Sequence, residues 1–553
     1  MAYEDYSKEE LLQEIEELKK KLKDTKYGLC WDKEHTKENV VLECENKIPV
    51  LVSDNSKKIL LGENSNILIE GDNFHALTCL NYIMKESIDV IYIDPPYNTG
   101  HEDFEYNDKY INSDDGYIHS KWLTFMKHRL VLAKDLMKKD GSCFISIDDH
   151  EQANLRMLCN QIFGERNVEQ YIWCLQDKSE GSFVKTAGLT VRKEHEYIIA
   201  CFKDNSKRFN RYLGKREFSD NIKDNPDNDP RGPWFSGNIS RNGIKSTTGS
   251  KYYTITNPAG EEFTRNWTLS KEEYEEALKD NRIYFSKGGA GVPRLKIFAS
   301  ENAQLIQSSL FTDVHTSITG KNELKRIFDG ESPFDFPKPT SLIKRLLEIG
   351  GSKDSIVLDF FAGSGTTGQA VLELNQEDGG NRKFILCTNN ENDICTSITY
   401  PRLKTVITGL RGDGSKYSDG IPSNLYYFKT DFVKDEKNTD QAKYCLVEKV
   451  DSLLCILEDT YENVSRNDYS SHYVSNDNLK HMFIYNDYYN KEQFEEFKNQ
   501  LNNVTEQKVV YMFATDNNVD YSLFEGIENI EVKPIPSKIY EIYKEIVEDI
   551  KRG

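Results

Sequence analysis

The chain has no apolar stretch approaching the ~18 consecutive residues that a membrane-spanning helix requires, so none of it reads as a membrane span. Its eleven cysteines are scattered, and no two form a C-x-x-C pair. A zinc site or a disulfide framework is therefore not expected, no metal is assigned, and a reducing, cytoplasmic compartment fits. The opening residues, MAYEDYSKEELLQEI, are acidic and polar, unlike the basic flank and apolar centre of a secretory signal. No Walker-type glycine–lysine loop and no internal repeat is present, and no cysteine follows a proline.

What is present suits a large folded protein. The chain has 553 residues, of which 38% are hydrophobic and 11% aromatic, enough for real cores and too many for a disordered chain. The net charge of -20 argues by itself against a polyanionic partner. The charge is uneven, however. Residues 181–330 hold 24 Lys and Arg against 19 Asp and Glu, whereas residues 411–553 hold 17 against 27. A locally basic segment inside an acidic protein can still contact phosphates.

Five segments follow from the pattern. Residues 1–45 form an N-terminal helical segment, with a capping box at Ser7 and Glu10 and heptad spacing of Leu11, Ile15, Leu18 and Leu22. Residues 46–205 alternate between short apolar runs and amphipathic stretches, the βαβ rhythm of a parallel sheet. Within them NILIEGD, IDVIYIDPPY, SCFISIDD and HEYIIACFK read as strands, and HSKWLTFMKHRLVLAKDLMKKDG reads as a helix closed by Gly141. The rhythm breaks over 206–325, a stretch rich in Asn, Asp, Gly and Ser that reads as an inserted α+β domain. It returns over 326–410 with KPTSLIKRLLEIG, SIVLDFFAGSGTTGQAVLELN and RKFILCTNN. Residues 411–553 form an acidic C-terminal α+β domain.

Two constellations carry chemistry. In VLDFFAGSGTTG a strand runs into Asp359, then into a turn with Gly363, Gly365 and Gly368, and then into a helix. This is G-x-G-x-x-G, a backbone that can pass close to a ligand at a helix N-terminus. A dinucleotide site would place an acid some 20 residues on, where Thr388 and Asn389 stand instead, with Glu391 arriving late. The other constellation is IDVIYIDPPY. Prolines cannot donate to a ladder, so Pro95 and Pro96 lie past the strand end, at the carboxyl edge where open α/β sheets bind ligands. The stiff loop holds the carboxylate of Asp94, a backbone carbonyl and the ring of Tyr97 in fixed relation. Two acceptors beside a stacking platform match the exocyclic amino group of a nucleobase.

Taken together, DPPY and DFFAGSGTT resemble the amino-group DNA methyltransferases that use S-adenosylmethionine. The catalytic motif precedes the cofactor motif with a long insertion between, which resembles the β class of that family. The stretches DPPYNTGHEDFEYND, RKEHEYIIACFK, DPRGPWF, FPKPTSLIKRLL and FILCTNNENDICTSITYPRLKTVI are similar to the Mod (modification) subunits of Type III restriction–modification systems, over about residues 26–430. The resemblance implies a Rossmann-like methyltransferase core, an inserted target-recognition domain and base flipping of an adenine in double-stranded DNA. It assigns Asp94, Pro95, Pro96 and Tyr97 to catalysis. It assigns Asp359, Phe361, Ala362, Gly363, Gly365, Thr366, Lys338, Pro339 and Asp72 to S-adenosylmethionine. Asp94 and the Pro95 carbonyl would bind the N6 amino group, and Tyr97 would stack on the extruded base. Implied partners are DNA, a second copy of the chain and a restriction subunit with helicase and nuclease activity.

In the insertion, Arg231, Trp234, Arg241, Arg282, Lys287 and Arg294 are the candidates for DNA contacts. His195, in KEHEYII, has no partner at i+4 and is read as structural. Two other readings stand beside the first: a solitary DNA methyltransferase without a nuclease, and a Rossmann-type oxidoreductase, which leaves DPPY unexplained.

Overall fold

The runs read as strands form the middle of one eleven-stranded sheet in the computed structural model, which describes residues 31, 36–100, 104, 115–175, 193–204, 209–215, 222–223, 225–241, 249–434, 446–447, 449–486, 491–513, 519–535 and 537–552. The capping box at Ser7 and the heptad leucines lie outside the described residues. The strands are β1 (Lys47–Ser53), β2 (Ile59–Leu60), β3 (Ser65–Glu70), β4 (Ile88–Ile93), β5 (Met137–Ile147), β6 (Val168–Cys174), β7 (His195–Phe202), β8 (Leu310–Phe311), β9 (Ile356–Asp359), β10 (Lys383–Thr388) and β11 (Asn424–Lys434). Their order is β1-β11-β3-β10-β9-β4-β5-β7-β6-β8, with β2 pairing β11. From β11 to β5 every neighbour is parallel. β7 runs antiparallel to both β5 and β6.

The central strands are covered on both faces, which is why they are continuously apolar. Leu68, Ile69, Val90, Ile91, Ile93, Val357, Leu358, Phe384 and Leu386 are all fully buried. Each contributes about 1.5–3 kcal/mol of burial, so the parallel core is the most strongly held part of the fold. Helices Asn73–Ile83 and Ile118–Leu136 connect β3 to β4 and β4 to β5. Helix Thr366–Asp378 connects β9 to β10. Helix Thr340–Gly350 turns Leu342, Ile343, Leu346 and Leu347 inward, and its Gly350 lies so close to Phe144 and Ser142 that a β-carbon would clash.

Three expectations are corrected. The helix expected to end at Gly141 stops at Leu136, and β5 begins at Met137. Gly141 sits inside that strand, where a β-carbon would lie 2.9 Å from the Lys138 carbonyl oxygen. Residues 308–325, expected in the insertion, belong to the large unit, because β8 adds to β6 at the edge of the main sheet. Likewise β11, expected in a C-terminal domain starting at 411, completes the main sheet between β1 and β3.

The remaining C-terminal residues build a five-stranded sheet from Glu462–Arg466, Ser470–Val474, Lys480–Tyr485, Gln507–Phe513 and Ile530–Ile535. Helix Ser537–Arg552 carries Tyr543 back to the large unit, where its hydroxyl donates to the Cys44 carbonyl at 2.7 Å. The chain divides into two compact units, Met1–Phe209 with Ser308–Gly553, and Asn210–Gln307. The smaller unit is α+β. It has a four-stranded sheet built on Trp234–Asn238 and Pro293–Phe298, two separate strand pairs, and helix Lys271–Lys279 with a capping box between Ser270 and Glu273. Its core holds Ile239, Ile255, Trp267, Tyr274 and Ile283.

Candidate active site

β9 and β4 are neighbours whose following connections run in opposite directions, β9 toward β10 and β4 toward β5. This is the topological switch point, where the strands' carboxyl ends splay and leave a crevice. Asp359 ends β9 and Asp94 follows β4, so both motifs arrive at the same place although 264 residues separate them. A cavity of 730 Å³ opens there, lined by Asp72, Asp94, Pro96, Phe361 and Gly363 among the residues singled out from the sequence.

The DPPY loop is held from outside as well as by its prolines. The indole of Trp122 donates to the Pro96 carbonyl at 2.8 Å. Asn98, buried in the left-handed region at φ 60°, donates to Glu151 at 2.5 Å. The Asp94 side chain accepts a hydrogen bond from Lys338 Nζ at 2.9 Å on Oδ2, while its Oδ1 is buried with no hydrogen-bond partner. The Tyr97 hydroxyl donates to Glu196 at 2.9 Å and accepts from Lys338 at 2.8 Å. Burial, together with the charges of Asp94 and Glu196, holds the Tyr97 phenol protonated well above its ordinary range.

The glycine turn is built from beneath. Gly363 and Gly365 adopt φ 47° and 80°, which side chains rarely tolerate. Gly368 meets Leu403 so closely that a β-carbon would lie 2.6 Å from it, so this glycine serves helix packing. Asp359 is buried, accepting from the Phe361 amide at 3.0 Å and the Thr367 hydroxyl at 2.5 Å. Burial pushes its carboxyl up to about 7. Arg402, also fully buried, donates to Gln369 at 2.8 Å, Thr366 at 2.8 Å and Ser364 at 3.0 Å. Thr399 donates to the Gly363 carbonyl at 2.6 Å.

The lining of the cavity holds five phenylalanines, Phe104, Phe125, Phe334, Phe360 and Phe361. It also holds five carboxylates, Glu38, Glu43, Asp72, Asp94 and Glu391. The cation on that lining, Arg129, is spent internally. It contacts Glu38 at 2.7 Å and Asp72 at 3.5 Å, and it also donates to Asn73. Burial opposes ionisation of Glu38, but Arg129 and His128 outweigh it and hold that carboxyl below its ordinary range. Asp72 caps helix Asn73–Ile83 through the Phe74 amide at 2.7 Å. A flat aromatic ring system joined to a cationic chain fits this donor set.

The remaining candidates lie elsewhere. Pro95, Tyr97, Asp359, Ala362, Gly365, Thr366, Lys338 and Pro339 do not line the cavity; the Tyr97 hydroxyl and Lys338 are paired with Glu196 and Asp94 beside it. At the end of β10, Thr388 and Asn389 are on the wall where an acid was expected, and Glu391 reaches the same wall, accepting from Asn389 at 3.1 Å. In the smaller unit, Trp234 is corrected from a DNA contact to a core residue, being 1% exposed with its indole donating to Asp227 at 2.9 Å. Arg231 pairs with Asp229 and Asp280 at 2.8 Å, and Arg282 with Asp280 and Glu301. Arg294 reaches the Ser236 carbonyl at 3.5 Å. Arg241 and Lys287 are exposed and form no ion pair among the described residues.

Sequence reasoning missed Glu196, Arg129 and Arg402. Glu196 is adjacent to the His195 that drew attention, and its only signal was a charge within an otherwise apolar strand.

The family model described as N6_N4_Mtase, DNA methylase, matches residues 88–399, more than half of the chain, including both β4 and β9 of the switch point. The chain belongs to this DNA methylase family. It is similar to the Type III restriction-modification enzyme StyLTI Mod subunit of Salmonella typhimurium, 36% identical over 327 residues that cover 55% of this chain and 49% of that protein. The EcoPI Mod subunit of Escherichia phage P1 is 31% identical over 55% of this chain and 54% of its own length. The Type II methyltransferase M.KpnI of Klebsiella pneumoniae is 30% identical over 64% of this chain and 86% of its own length. The chain thus spans about half the length of the Mod subunits it matches, and the likeness to Mod subunits read from DPPY and its flanking stretches is met.

Proposed function

We propose that the chain transfers a methyl group from S-adenosylmethionine to the N6 amino group of adenine in DNA, as the modification and specificity subunit of a Type III restriction–modification system. The observation that carries this reading is Asp94, which lines the cavity at the switch point and keeps one carboxylate oxygen, the buried Oδ1, without a hydrogen-bond partner. S-adenosylmethionine, when bound, supplies a methyl group activated on a sulfonium. The phenylalanines of the lining, Phe361 among them, suit its adenine ring, and the carboxylates Asp72, Glu43 and Glu391 suit its ribose hydroxyls and positive charge.

The chain's own residues then have a positioning task. An adenine amino group is a weak nucleophile because its lone pair is delocalised into the ring. Asp94 Oδ1 and the Pro95 carbonyl accept its two N–H groups and orient the nitrogen, which is catalysis by placement. Extruding the base costs a few kcal/mol. Stacking on Tyr97 returns about 1–3 kcal/mol. Lys338 sits at the hydroxyl edge of that ring, 4.9 Å from its centroid and 2.8 Å from its oxygen, and so anchors the platform. The smaller unit recognises the DNA, and its exposed cations Arg241 and Lys287 contact the phosphates that set its position. The likeness to Mod subunits supports a working unit of two copies joined by a restriction subunit with helicase and nuclease activity, acting in the cytoplasm.

The reading is tested by incubating the chain with DNA and methyl-tritiated S-adenosylmethionine and then separating the nucleosides. Label in N6-methyl-2′-deoxyadenosine is expected. Label confined to N4-methyl-2′-deoxycytidine, or none in DNA, overturns it. A second reading, a methyltransferase that works without a nuclease, is favoured by the alignment to 86% of a Type II methyltransferase. Failure of any helicase–nuclease subunit to copurify with the active chain would support it.

A further inference from the structure

We infer that Lys338 and Glu196 are positioning residues that act through Asp94, and that Lys338 is not a contact to the methyl donor. The inference rests on the reading of Asp94 as the acceptor for the substrate amino group. Four side chains from three separate parts of the chain meet at one point. Asp94 and Tyr97 come from the loop after β4, Glu196 from β7, and Lys338 from the loop before helix Thr340–Gly350. Lys338 is 6% exposed. Its Nζ donates to Asp94 Oδ2 at 2.9 Å and to the Tyr97 hydroxyl at 2.8 Å, and lies 3.6 Å from Glu196 Oε2. The Tyr97 hydroxyl closes the ring by donating to Glu196 at 2.9 Å.

Each contact has a consequence for the reacting nitrogen. Because Lys338 occupies Oδ2, the acceptor left to Asp94 is Oδ1, the buried atom without a partner. The lysine therefore fixes which oxygen meets the substrate and in which direction it points. It also sets the local charge. Two carboxylates and one ammonium leave a net single negative charge beside a nitrogen that becomes positive as the methyl arrives. Without the ammonium, two carboxylates would share a half-buried site, and such pairs resist full ionisation. Burial works against the charged ammonium, but Asp94 and Glu196 outweigh it and keep Lys338 protonated. Glu196 has the complementary task of holding both the ammonium and the phenol, so the Tyr97 ring and the Asp94 carboxylate move as one body. A cofactor ligand would face the cavity, and Lys338 does not line it.

The test is a set of variants assayed for both binding and turnover. Lys338→Met should lower kcat roughly 100-fold, the scale of a lost orientation. Its affinity for S-adenosylmethionine, measured by calorimetry without DNA, should stay within about threefold of wild type. Glu196→Gln should behave in the same direction with a smaller loss. Lys338→Ala should regain turnover in proportion to added ethylamine, which a purely structural lysine would not allow. In an Asp94→Asn background, Lys338→Met should cost little further, since the lysine acts through a carboxylate already gone. An affinity loss equal to the loss in kcat would make Lys338 a donor ligand and overturn the inference. So would full turnover by Lys338→Met while wild type methylates adenine. A wild-type chain that methylates no adenine would instead overturn the underlying reading, and the inference with it.

Discussion

Replacing Asp359 by asparagine should raise stability relative to wild type more at pH 8 than at pH 5. Asp359 is 2% exposed at the end of β9, where its carboxyl is pushed from 3.8 up to about 7 by burial. The folded chain therefore binds this proton more tightly than the unfolded chain does. Stability contributed by the group is fully present below about 4, declines as pH rises toward 7, and is gone above 7. At 1.36 kcal/mol per pK unit the complete deficit is about 4 kcal/mol, of which less than half has accrued at pH 5. Asparagine does not titrate. It can still accept from the Phe361 amide, and the Thr367 hydroxyl can turn to accept from its amide group. Whatever that rearrangement costs is the same at both pH values and cancels in the comparison. The advantage of Asp359→Asn over wild type should thus grow by about 2–3 kcal/mol between pH 5 and pH 8. Urea unfolding followed by the fluorescence of buried Trp122 and Trp173 reads this difference. A difference that is constant with pH, or that shrinks toward pH 8, would refute the argument from burial.

Three further outcomes follow from particular contacts. Arg402→Met removes a fully buried guanidinium from Ser364, Thr366 and Gln369, so it should cost about 3–5 kcal/mol in thermal unfolding and weaken S-adenosylmethionine binding by loosening the glycine turn. Trp234→Ala should destabilise the smaller unit by about 3–5 kcal/mol, because its indole is core, and proteolysis of residues 210–307 would report this; an intact unit with weaker DNA binding would return Trp234 to the DNA interface. The double change Arg241→Ala with Lys287→Ala should weaken DNA binding at all sequences and flatten the salt dependence by a slope of about 1.8, and an unchanged slope would move the phosphate contacts elsewhere.

The parts of this fold legible in the sequence were those whose signal is local. β3, β4, β9 and β10 are buried on both faces, so each writes a continuous apolar run. DPPY and FAGSG are contiguous because one strand end and one turn each carry a whole function. Edges were less legible. β6 mixes three buried residues with three half-buried ones and the exposed Glu169 and was not singled out, and β8 is two residues long with one of them exposed. Its place in the main sheet depends on pairing with Ile172 and Trp173, far away in sequence. The site's supporting charges were illegible for the same reason. Glu196, Arg129 and Arg402 each look like a solvated charge until the fold brings them against Tyr97, Glu38 and Ser364. Trp234 shows the reverse error, since an aromatic in a polar insertion suggests a nucleic-acid contact, whereas its strand turns the ring into the unit's interior.

The central claim is that Asp94 presents an acceptor to an adenine amino group at the switch-point cavity. The most direct measurement is methylation-aware sequencing of DNA from cells expressing either the chain alone or its Asp94→Ala variant, with S-adenosylmethionine binding of both proteins measured in parallel. The account predicts N6-methyladenine at one recurring sequence with wild type, none with the variant, and nearly equal cofactor binding. Comparable methylation by the variant, or modification of a base other than adenine by wild type, would contradict it.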